Sequence, residues 1–177
     1  YALNRPSYNW DMIPYIAVAL SLEYTDDQFI HSKTYESVKQ SVPESVYTAL
    51  THGDYLDYRA QVAQNHLYFT QQLPYYKIRP LYTSLIYLGH KIGINIVTAT
   101  LLVSIFSGVL IAILALLWLL DHLEGFYPYL LAFLITSLGV TEIARVQTPD
   151  ALSAAILLAA MYLLRKESPI YFTSLLL

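Results

Sequence analysis

Two carboxylates, Asp11 and Asp150, each stand at the start of an apolar run, and three cations, Lys77, Arg79 and Arg145, lie in the polar stretches before such runs. A carboxylate can take a proton or ligate a cation. A guanidinium grips phosphate with two prongs, whereas an ammonium acts as a point charge. Trp10, Tyr75 and Tyr76 flank these groups and could stack on a sugar ring. Each residue also has a purely structural use. Asp11 and Asp150 suit helix starts, Lys77 and Arg79 suit lipid headgroups, and Glu142 is placed to pair with Arg145. Most of the 17 tyrosines fit an interfacial belt. His31, His52, His66, His90 and His122 lack metal-ligand spacing and read as structural.

The elements that must position these groups are apolar. Apolar residues make up 56% of the chain and charged ones 13%, about half the roughly 25% of a soluble domain, so a membrane protein is expected. From Ile92 to Leu120 no side chain is charged, which is long enough for a helix to cross a hydrocarbon core. Residues 126–142 and 149–164 are shorter spans, and 169–177 opens another apolar helix. The chain thus reads as a piece of a larger membrane protein. Its first residues lack the basic and apolar regions of a signal peptide and fit the end of a preceding span. A net charge of −3 argues against nucleic acid as a partner, and without cysteine there is no thiolate or disulfide chemistry.

Residues 1–94 keep helical periodicity despite their charge and read as an outer region of amphipathic and juxtamembrane helices. Asp11 precedes the run Met12 to Leu22, with Pro14 in its first turn. Thr25 with Gln28, and Ser41 with Glu44, have capping-box spacing. A helix is expected over 54–67. Pro74 and Pro80 are expected to break 71–80 into a loop, and 81–91 suits an interfacial helix. The fold class is therefore all-α and polytopic, with residues 95–177 holding about three transmembrane helices, at 95–119, 126–142 and 149–164. With 81–91 kept outside, Asp11 and Asp150 fall on one membrane face together with Glu142, Arg145, Arg79 and Lys77. Arg165 and Lys166 then lie inside, in keeping with the positive-inside rule.

That order of motifs resembles the GT-C glycosyltransferases that use polyprenyl-phosphate sugars, such as protein O-mannosyltransferases and aminoarabinose transferases. Asn9-Trp10-Asp11 is similar to their first outer loop, with its acidic residue before an apolar helix. Arg79-Pro80-Leu81-Tyr82 through Gly93 is similar to their basic-Pro-Leu-aromatic element, and Arg145-Val146-Gln147-Thr148-Pro149-Asp150-Ala151-Leu152 to their later outer loop. Met12 follows Asp11 where many members carry a second acidic residue.

The resemblance implies a membrane glycosyltransferase of hexosyl or pentosyl groups, with a polyprenyl-phosphate sugar donor and membrane lipid as partners. Transfer from a lipid phosphate needs a base for the acceptor proton and cations for the departing phosphate. Asp11 would be the base, or a ligand for a divalent cation, and Asp150 a second catalytic carboxylate. Lys77, Arg79, Arg145, Tyr75, Tyr76 and Trp10 would hold substrate. The expected setting is a bacterial inner membrane with residues 1–94 on the periplasmic side, and this stretch alone is not expected to be active. A non-catalytic assembly subunit or a transporter fragment are the alternatives. A transporter would place its charges nearer the midplane than the span ends seen here.

Overall fold

A computed structural model of the chain describes residues 6–52 and 56–165. These residues are all-helical. They divide into two compact units, one within residues 7–103 and one made of the described residues from 104 onward with Pro6, and the boundary falls within a long helix. The start of a helix expected at 169–177, Lys166 and residue 54 lie outside the described residues.

The first unit is built around α1 (Met12–Leu20), whose nine residues are all buried. A helix that is apolar on every side has no solvent face and must be covered all round. The covering helices are α2 (Asp27–Ser41), α5 (His66–Tyr76) and α6 (Pro80–Lys91). Burying each of Ile13, Ile16 and Leu20 contributes about 1.5–3 kcal/mol before the entropy of ordering the chain is charged against it. Two further helices, α3 (Glu44–His52) and α4 (Leu56–Gln64), pack on each other, and α4 also packs on α5.

Local chemistry sets the element ends. Asp26, rather than Thr25, starts α2: its carboxylate accepts from the Phe29 N–H at 2.7 Å. Ser41 does not start α3, because it forms the last residue of α2 and its hydroxyl donates to the Ser37 carbonyl at 2.6 Å. The carbonyl of Pro43 takes the first bonds of α3 instead, from Val46 and Tyr47. The helix expected over 54–67 ends at Gln64, because Asn65 caps a new one by accepting from the Leu67 N–H at 2.9 Å.

The loop expected over 71–80 is mostly helix. Pro74 lies inside α5 but only two residues from its end, so the missing N–H costs one bond in the final turn. Pro80 sits in the first turn of α6, where its N–H would be unpaired anyway. Only 77–79 remain as a connection. A Lys91–Glu23 ion pair at 2.7 Å ties the end of α6 to the chain just beyond α1. α6 therefore runs in the same sense as α1, and α5 returns against it.

The long helix α7 (Ile96–Leu120) has 25 residues and rises about 37 Å. Asn95 caps it, its side-chain oxygen accepting from the Val97 N–H at 2.9 Å. The turn into it passes through Gly93 at φ +92°, a conformation that favours glycine. Among the described residues α7 is the one helix long and apolar enough to cross a membrane. In the second unit, α8 (Tyr127–Ile135), a π-helical turn (Thr136–Val140) and α9 (Thr141–Ile143) follow one another without a gap. Their 9, 5 and 3 residues together rise about 25 Å. The last helix, α10 (Asp150–Arg165), has 16 residues and rises about 24 Å. The expected spans at 126–142 and 149–164 are helical, and among the described residues neither is counted with α7 as long and apolar enough to cross a membrane.

Glycine permits one close approach in that unit, since a Cβ on Gly108 would meet the Ala144 Cβ at 2.9 Å and Val140 Cγ1 at 3.3 Å. Gly108→Leu is therefore disruptive on steric grounds.

His31 gives the first unit a pH signature. Its ring packs on Tyr35 and Phe69, with centroids 4.8 and 5.2 Å away, and Nε2 donates to the Val62 carbonyl at 3.1 Å. Burial holds its pKa below the usual 6.5. A base whose folded pKa is depressed stabilises the fold fully above its unfolded pKa and loses that stability as pH falls through the folded value. The unfolding temperature is expected to drop on acidification below pH 6.5, and His31→Phe is expected to flatten that part of the profile. An unchanged slope in the variant would assign the acid sensitivity elsewhere.

Candidate functional site

The start of α1 frees the Asp11 carboxylate from capping. The first four N–H groups of a helix normally want outside acceptors. Here Met12 N–H donates to the Asn9 carbonyl at 3.1 Å and Ile13 N–H to the Trp10 carbonyl at 3.0 Å. Pro14 has no N–H, and Tyr15 N–H reaches the Asp11 carbonyl at 3.4 Å. The Asp11 side chain accordingly makes no cap bond. The chain before it is fixed by Asn9, whose side-chain oxygen accepts from the Asp11 N–H at 2.9 Å.

What the carboxylate meets is the end of α5. Tyr76 donates its phenol to Asp11 Oδ1 at 3.0 Å. Tyr15, one turn along α1, stands edge-on to Tyr76 with ring centroids 4.9 Å apart, and edge-on to Tyr82 of α6 at 5.1 Å. Arg79, just before α6, donates from Nη1 to the Tyr15 hydroxyl at 3.2 Å. Three of the residues singled out from the sequence, Asp11, Tyr76 and Arg79, are thus joined into one chain of contacts through Tyr15. Burial, then the charge of Asp11 and the hydrogen bond to it, push the Tyr76 phenol well above its usual 10. Asp11, Tyr76 and Arg79 are all half-buried, which keeps the cluster open to a ligand.

The remaining candidates are placed as follows. Trp10 packs on Tyr58 of α4 with centroids 5.8 Å apart, and its indole N–H is buried without a hydrogen-bond partner. Tyr75 is 77% exposed, and Lys77 is exposed where its backbone N–H closes α5. In the other unit, Arg145 Nη1 donates to both oxygens of Glu142 at 2.7 and 3.0 Å. Asp150 is the first residue of α10, and its Oδ2 accepts from Thr148 Oγ1 at 2.9 Å. Asp11 and Asp150 belong to different units.

Among the described residues no three His, Asp or Glu side chains gather to hold a metal ion, and the neighbour of the Asp11 carboxylate is a phenol.

Tyr15 was missed by sequence reasoning, although its spacing of four from Asp11 puts both on one helix face. In the run Met12 to Leu20 it carries the one hydroxyl, and that was the signal available.

The phenol of Tyr76 gives the cluster its test. In an ultraviolet titration, two tyrosines of the intact protein, Tyr35 and Tyr76, are expected to ionise well after the exposed ones, and Tyr76→Phe is expected to remove one of the two late steps. Asp11→Asn should lower the Tyr76 pKa, though burial would still hold it above 10. The Tyr35 step should stay in both variants, and a late absorbance change of undiminished size in Tyr76→Phe, with no shift in Asp11→Asn, would show that the contact does not exist in solution. No protein-family model matches the chain, and no curated protein or solved structure matches it either, so its chemistry is read from this cluster.

Proposed function

We propose that the chain belongs to a polytopic membrane glycosyltransferase that moves a sugar from a polyprenyl-phosphate donor to an acceptor hydroxyl. The work takes place on the outer face of a bacterial inner membrane. The observation that carries this reading is the Asp11 carboxylate, excused from capping and held at 3.0 Å by Tyr76 in contact with the Tyr15–Arg79 pair. The membrane setting is supported by α7, because only 33% of its most apolar stretch is buried inside the protein. Phe106, Val109 and Ile113 on it are exposed. A soluble protein would cover such a helix, whereas lipid leaves it as it is.

The reaction needs one group to take a proton and one to meet a phosphate. With Oδ1 engaged by Tyr76, the second oxygen of Asp11 accepts the proton of the acceptor hydroxyl as that oxygen bonds the sugar's anomeric carbon. The bond from that carbon to the phosphate breaks, and its electron pair leaves with the polyprenyl phosphate. Arg79 stabilises that developing charge through a guanidinium with five N–H donors, and exposed Lys77 adds charge nearby in sequence. Tyr76 orients the base and takes no part in bond making.

In membrane vesicles carrying the intact protein, transfer from radiolabelled polyprenyl-phosphate hexose or pentose is expected to fall about 10²–10⁴-fold in Asp11→Asn, the usual scale of a general base. Arg79→Lys, which keeps charge but loses the fork, is expected to be intermediate. Transfer unchanged in Asp11→Asn would remove the base from the scheme and return the protein to the class of non-catalytic assembly subunits.

A further inference from the structure

Beside the Asp11 cluster, α4 and α5 enclose a pocket of about 200 Å³. It is lined chiefly by Tyr58 and Gln61 of α4 and by Tyr68, Gln71, Gln72 and Tyr75 of α5. The spacing is a helical stripe. Positions 68, 71, 72 and 75 share one face of α5, and 58 and 61 share one face of α4. Packing faces at this spacing are ordinarily aliphatic, but these two are built from phenols and primary amides. No lining residue is charged.

Gln72 is the informative member. It is 8% exposed, and Tyr58 donates its hydroxyl to Oε1 at 3.1 Å, yet Nε2 is buried with no hydrogen-bond partner. Turning the amide over would not help, since one end would still be unpaired. A buried donor left unmade costs about 1–3 kcal/mol, and a polar ligand toward which the Gln72 amide turned would relieve that cost. Around it, Tyr58, Tyr68 and Tyr75 are 53%, 52% and 77% exposed. Tyr68 and Tyr75 are therefore open, and Tyr58, whose ring packs on Trp10, still keeps half of its surface exposed.

We infer that this pocket binds an uncharged saccharide, with Gln72 donating to a ring hydroxyl and the open tyrosines lying along the apolar C–H face of the sugar. Amides both donate and accept, as hydroxyls do, so Gln61, Gln71 and Gln72 match a polyol on every edge. The absence of a lining cation disfavours uronates and phosphates, whose charge would have to be buried without a counterion. The volume lies below the roughly 300–1,000 Å³ of pockets for drug-sized ligands, which fits a single sugar ring. Position ties the pocket to the cluster: Tyr75 lines it while Tyr76 holds Asp11, and Trp10, next to Asp11, packs on Tyr58. The inference deepens the glycosyl-transfer reading by giving it a sugar subsite, and to that extent rests on it, but it is tested by binding alone.

The full chain in lipid nanodiscs prepared without sugar-headed detergent is titrated with methyl glycosides of neutral hexoses, N-acetylhexosamines and pentoses, and with the matching uronates. Binding is read by saturation-transfer nuclear magnetic resonance. At least one neutral glycoside is expected to bind, at least ten-fold more tightly than its uronate. Binding is expected to weaken at least ten-fold in Gln72→Leu and in Tyr75→Ala. Because Tyr75 is exposed, the second change leaves the fold intact even if the first does not. Absence of binding by every neutral glycoside, equal binding of uronates, or affinity unmoved by Tyr75→Ala would overturn the inference. If no glycoside binds while transfer still depends on Asp11, the pocket assignment fails and the catalytic one stands. Glycoside binding without Asp11-dependent transfer supports the pocket and removes the base.

Discussion

The first unit depends on covering α1. A nine-residue helix without a polar face cannot stay at a surface, and at about 14 Å it is too short to find lipid along its whole length as a spanning helix does. Its apolar surface can be removed from water only by other helices of the unit. That demand brings α5 and α6 to opposite senses on the same helix, and so places their junction, 77–79, beside the start of α1. Asp11, Tyr76 and Arg79 meet because their helices all close on one apolar object. The chemistry-bearing end of the unit is a by-product of where α1 begins.

The same start explains why a carboxylate is available there. An aspartate before a helix is ordinarily used up by the helix's own N–H groups. Here the preceding backbone carbonyls of Asn9 and Trp10 take two of those donors and Pro14 removes a third, so the side chain is free to be claimed from outside. Tyr76 claims it, and the phenol is held neutral by burial and by the charge it faces. Capping and site formation are alternatives for Asp11, and Pro14 tips the balance.

Much of this was legible in the residues, and the failures have local causes. The long apolar run gave α7 to within a residue at each end, because a span with no charge has unmistakable bounds and Asn95 is a good cap. Residues 126–142 and 149–164 were read correctly as helical, but the π turn was invisible to hydropathy. Start signals failed where two cap residues compete, as at Thr25 and Asp26, or where a serine is spent on ending the previous helix, as at Ser41. Pro74 misled because the rule against proline applies to helix interiors, and only two residues of α5 follow it. Of the site, Asp11, Arg79 and Tyr76 carried readable chemistry. Tyr15 offered only its hydroxyl and its spacing from Asp11, and Gln72 offered nothing, because its role comes from burial, which one sequence does not display.

The polar stripe on α5 shows how far such reading can go. Successive helix residues point about 100° apart, so neighbouring side chains serve different surroundings. Tyr75 opens on the pocket with Gln71 and Gln72, while Tyr76 turns to Asp11. Phe69 and Leu73 take a third direction, into the buried core. One short helix thus presents a packing face, a hydroxyl for a carboxylate and an amide-lined face. The break forced by Asn65 and the end at Lys77 give it only the length these faces need. A ligand that satisfied Gln72 would lie four residues, about one helical turn, along the chain from the phenol that orients Asp11. Binding and proton transfer would then share a single rigid element, the arrangement that holds reacting groups in register without further ordering of the chain.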